Sequence, residues 1–129
     1  MIQRVHEDTW FVIDHNPSDR VYRVARTKAP FADLGEVERA YGALHRQVAD
    51  VPPGSRLLLD MREAPPRNDP EFEAAVKRAR DRSFSRFGRV AVLVRTAVGK
   101  LQVHRMNQDL SASVAVFDDE DRAFDHLLG

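Results

Sequence analysis

Two short runs without polar alternation, "RLLLDM" (Arg56 to Met61) and "RVAVLV" (Arg89 to Val94), constrain the fold more than any other feature of the chain. A strand with one wet face alternates apolar and polar residues, and these two do not, so both of their faces must be covered. Between them Asp69-Pro70 reads as a helix start, a capping residue followed by proline at the first helical position. Phe72, Val76, Ala79 and Ser83 follow at helical spacing as its inner face. A strand–helix–strand order of this kind demands a crossover, hence parallel pairing with helices laid on the sheet.

The flanking segments extend the pattern. "TWFVI" (Thr9 to Ile13) and "RVYRVAR" (Arg20 to Arg26) read as strands joined by the turn formers "NPSD", an antiparallel hairpin at one edge of the sheet. Arginines on the second of these strands point to a wet face or an edge. Asp33 opens a helix, with Glu36 placed to complete a capping box. Leu34, Val37, Tyr41, Leu44 and Val48 form its apolar face, and "DVPPGS" ends it. Thr96 is placed to cap a further helix over about 97–110, with Val98, Leu101 and Met106 as a ragged stripe. "SVAVF" (Ser113 to Phe117) reads as the last strand, and "DDEDRAFDHLLG" as a closing helix with acids at its positive end and Phe124, Leu127 and Leu128 inward. The expected fold is α/β, one domain over 1–129: a mixed, mainly parallel five-stranded sheet with helices on its faces, in the order ββαβαβαβα.

The 129 residues include no cysteine, which excludes disulfides and thiolate metal sites. Twenty basic and twenty acidic residues cancel, so no global field draws the chain to nucleic acid or an anionic membrane. No apolar run approaches the ~20 residues needed to span a bilayer, and Glu7, Asp8 and Asp14 interrupt what a signal peptide would keep apolar. A soluble cytoplasmic protein is the expectation.

The run of elements, "LLLDMRE" before a loop and helix, and the ending "VAVFDDEDRAFDHLL" together resemble STAS-like domains. That group includes the bacterial anti-sigma-factor antagonists and is related to the lipid-carrying CRAL-TRIO fold. The resemblance covers the chain from about Trp10 to Leu128, and it implies a regulatory module that binds other proteins. In such antagonists a partner kinase phosphorylates a serine of an Asp-Ser pair at the start of the second helix. Nine residues beyond the acid that ends the preceding strand, here Asp60, stands Asp69, preceded by Asn68. No Ser or Thr occurs from Met61 to Glu71, so the phosphorylation switch is not carried over. Asp69 caps its helix, and it places a permanent negative charge where the resemblance implies a switched one.

Asp60 was weighed as a phosphoryl acceptor. Thr96 and Asp14 match pieces of that chemistry, but the last strand ends Phe117-Asp118 without the required lysine. The simpler role is a bond to backbone or to Arg62 at the strand end. The five histidines, His6, His15, His45, His104 and His126, show no metal-ligand spacing. No glycine-rich phosphate loop and no nucleophile elbow is present. No catalytic set, cofactor site or metal site is expected.

The most uneven charge lies at 77–89, "KRARDRSFSRFGR", with six basic residues against Asp81 alone. Arg78, Arg82 and Arg86 recur every four residues, a stripe along one helical face. The opposite imbalance is "DDEDRAFD", five acids against Arg122. Such runs commonly do no more than keep a surface wet. Their functional reading is docking, to an acidic protein surface or between copies of the chain. Few aromatics accompany the stripe, which leaves little to stack bases. Ser83 follows arginines, a context that basic-directed kinases favour. The leading function is a non-catalytic interaction module using Arg62, Arg67, Asp69, Arg78, Arg82 and Arg86. The rival is a small apolar ligand held between the first and third helices.

Overall fold

The two unalternated runs lie side by side inside a six-stranded mixed sheet. The computed structural model describes residues 1–65, 69–95 and 114–129. Its strands are β1 (Gln3–Glu7), β2 (Phe11–Asn16), β3 (Val21–Arg26), β4 (Arg56–Asp60), β5 (Arg89–Leu93) and β6 (Val114–Phe117). Its helices are α1 (Leu34–Val48), α2 (Pro70–Phe84) and α3 (Glu120–Leu128). The strands lie in chain order, with β1–β2 and β2–β3 antiparallel and β3–β4, β4–β5 and β5–β6 parallel. The helix expected over 97–110, with Thr96, Val98, Leu101 and Met106, lies outside the described residues, as does Arg67.

The expected five strands are corrected to six. β1 was missed because "QRVHE" carries one β-branched residue among polar ones; it is an edge strand, exposed along most of its length, and its pairing shifts register between Arg4 and His6. Polar side chains and an irregular register are how edges avoid pairing with other chains. The extra strand covers β2, and β3 lies between β2 and β4, away from either edge. Its arginines are therefore not wetting a rim: Arg23 is half-buried and Arg26 buried.

Leu57, Leu58 and Leu59 on β4 alternate between two cores, which explains the lack of polar alternation. One face packs Leu57, Leu59, Val90 and Val92 with Phe11, Ile13 and Val24 under Val37, Tyr41, Leu44 and Val48 of α1 and Phe72 and Phe84 of α2. The other face packs Leu58, Ala91 and Leu93 against Ala123 and Leu127 of α3. Each buried leucine contributes about 1.5–3 kcal/mol from water exclusion.

The helix ends follow their sequence signals. Asp33 Oδ1 accepts from Glu36 N at 2.9 Å, and the Glu36 carboxylate accepts from Ala32 N, one residue before the cap. Leu34, expected inward, sits in the first turn largely in solvent, and Ala40 takes the inner position. In α3 the buried residues are Ala123 and Leu127, and the half-buried Phe124 packs against the same cluster; Leu128 is 46% exposed, so one of the three expected anchors is corrected. The β2–β3 turn forms where expected: Asn16 Oδ1 accepts from Ser18 N, and Arg20 takes the left-handed conformation (φ 57°).

Candidate functional site

Asp60 ends β4 at the carboxyl edge of the sheet, buried on the α3 face. Its Oδ1 accepts from Arg62 N (3.1 Å) and Arg62 Nε (3.0 Å), and its Oδ2 from Arg62 Nη2 (2.8 Å) and Arg23 Nη2 (2.9 Å). Arg23 comes from β3, where it sits beside Leu58 and so projects to the same face as Asp60. Both guanidinium groups also reach Glu120 Oε1 in the first turn of α3, at 2.7 Å from Arg23 and 3.2 Å from Arg62. Two acids and two arginines thus close a ring that fastens α3 to the end of the sheet. Burial works against the Asp60 charge, but hydrogen bonds from the Arg62 side chain and backbone and from Arg23 outweigh it and hold the carboxyl below its ordinary value.

This arrangement anchors; it does not leave a nucleophile. Every good acceptor direction of Asp60 is taken, so a phosphoryl group or a cation would have to displace an arginine. Glu63, in the loop after β4, is similarly engaged by Arg95 (2.9 Å) and Lys28 (3.6 Å). Among the described residues no group of three or more metal-ligating side chains comes together. The sequence reading joined Asp60 to Arg62 but missed Arg23 and Glu120. The signal for Arg23 was available: alternation along β3 sets it on the same face as β4's Asp60 once the two are parallel neighbours.

The described docking residues separate into four situations. Arg62 is committed to Asp60 and Glu120 and is not free to dock. Asp69 caps α2, accepting from Glu71 N at 3.0 Å, with Pro70 at the helix start. Arg78 and Arg82 are exposed, and neither has an ion pair or side-chain hydrogen bond among the described residues, whereas their neighbour Lys77 pairs with Asp81 at 3.4 Å. The stripe is shorter than its spacing implied. Helix α2 ends at Phe84, so Arg86 lies past the C-cap, exposed, its Nε donating to Val51 O at 3.3 Å. Ser83 is 3% exposed, which puts its hydroxyl out of a kinase's reach while α2 is folded.

Sequence reasoning overlooked one member of the arginine series. Arg80, between the two exposed arginines, points the other way and is buried. Helical geometry gives the reason: positions 76, 80, 83 and 84 share a face, and it is the face turned to α1.

Comparison with family models, curated proteins and solved structures finds no match to this chain.

Proposed function

We propose that this chain is a non-catalytic, cytoplasmic interaction module of STAS-like type that lacks the phosphorylatable serine. One observation carries the reading: Arg78 and Arg82 stand one helical turn apart on the outer face of α2, exposed and without an acidic partner among the described residues. Charges elsewhere at the carboxyl edge neutralise one another, at Asp60, Glu63 and Glu120. Two unpaired guanidinium groups on a rigid helix fit carboxylates on a partner, since arginine binds carboxylate in a two-pronged geometry. The arrangement of strands and helices and the charge at Asp69 support the STAS-like assignment. No described helix is long and apolar enough to cross a membrane.

The test is a pull-down from cells that make the protein, comparing wild type with Arg78→Ala/Arg82→Ala. Both side chains are exposed, so the double variant should melt like wild type yet capture its acidic partner at least tenfold less well. Equal capture removes the helix face from the function.

A further inference from the structure

The face of α2 turned to α1 holds buried polar atoms that find no hydrogen-bond partner among the described residues. Arg80 is 5% exposed and its Nε has no hydrogen-bond partner; Ser83, one turn on, is 3% exposed and its Oγ has none either. His45 Nδ1 on α1 and Asp81 Oδ1 are likewise buried without a hydrogen-bond partner among the described residues. Helices α1 and α2 both return against the direction of the parallel strands, so they run parallel to each other on one face of the sheet. Tyr41 and His45, one turn apart on α1, therefore lie at heights similar to Arg80 and Ser83 on α2.

Arg26 shows how this same core treats a guanidinium that it keeps for structure. Its Nη1 donates to Trp10 O and its Nη2 to Ala29 O, both at 3.0 Å, and the group lies 4.5 Å over the Phe31 ring. Arg80 has none of these provisions. Burial pulls its pKa down, and Tyr41 and Asp81 offset that only in part. Arginine keeps its proton in proteins, so the group still carries its charge at neutral pH. Asp81 is not its counter-ion by contact: adjacent residues on a helix do not face each other, and the Oδ2 of Asp81 is turned to Lys77. A buried charge that is compensated only in part, with its Nε–H unpaired among the described residues, is costly, and natural cores seldom keep one without a use.

We propose that Arg80 and Ser83, on the face of α2 turned to α1, form a binding site for a small oxyanion such as phosphate or a carboxylate. Arg80 would supply the charge and its Nε–H, and the Ser83 hydroxyl a second donor. The inference is independent of the exposed arginines, which point to the opposite side of α2.

The experiment measures melting midpoints with inorganic phosphate, or with acetate, against sodium chloride at matched ionic strength. Wild type should gain several degrees from at least one oxyanion beyond the chloride control. Arg80→Met keeps the aliphatic stem and removes the charge. It should melt above wild type in oxyanion-free buffer, because an uncompensated buried charge is gone, and it should lose the oxyanion response. A wild-type response no larger than chloride's, or a full response retained in Arg80→Met, overturns the site. If Arg80→Met does not fold, Ser83→Ala decides: binding of phosphate or acetate, titrated by calorimetry, should weaken severalfold, and unchanged affinity overturns the site.

Discussion

Asp60 accepts four hydrogen bonds from two arginines, and that fixes what its substitution should do. Asp60→Asn removes the charge and leaves two half-buried guanidinium groups to share Glu120 alone, so it should lower stability at neutral pH by about 1.5–3 kcal/mol. The folded carboxyl titrates below its unfolded value. Its contribution is therefore complete above the unfolded range near ~4 and is lost as pH falls through the lower, folded value. Urea melts from neutral to acid pH should show the gap between wild type and Asp60→Asn closing in that window, and a gap independent of pH would contradict the ring. Arg20 makes a separate residue-scale case. It holds a left-handed conformation with an exposed side chain, and asparagine tolerates that region better. Arg20→Asn should raise stability by up to about 1 kcal/mol, read as a shift in the urea midpoint.

At the scale of elements, the strongest local signals were the reliable ones. Asp33, Asp69 and Asp119 all cap helices, and "RLLLD" and "RVAVL" are interior strands. Asp119 accepts from both Asp121 N and Arg122 N. Asp119→Ala should accordingly cost about 1 kcal/mol, measurable by thermal melting, and a neutral result would mean that packing and the arginine contacts to α3 hold it without the cap. What the sequence did not reveal has physical reasons. The strand "QRVHE" lacks a buried face and so lacks a pattern, and an edge strand needs none. Arg86 fitted a four-residue repeat, but the repeat outlasts the helix, since charge spacing carries no stop signal. Arg80 looked like its neighbours because burial of an arginine leaves no trace in composition. Leu34 and Leu128 were assigned inward by residue type, although both sit at helix ends where the supporting sheet has run out.

At the scale of the molecule, the sheet sets an exposed arginine pair and an exposed acidic pair on opposite faces. Helix α2, with Arg78 and Arg82, lies on one face, and α3, with exposed Asp121 and Asp125, on the other. Copies joined through these patches would meet head to tail, which favours rings or filaments over a symmetric pair. A separate acidic partner has no such geometric demand. The ring at Asp60 ties β3, β4 and α3 together, so the carboxyl edge of the sheet serves as a joint, and the surface proposed for recognition is the outer face of α2. The most direct test sets these two places against each other in one pull-down from cells that make the protein, with wild type, Asp60→Asn and Arg78→Ala/Arg82→Ala each held below its own melting midpoint. The account predicts that Asp60→Asn keeps the partner and the double arginine variant loses it; loss in Asp60→Asn with capture retained by the double variant would contradict it.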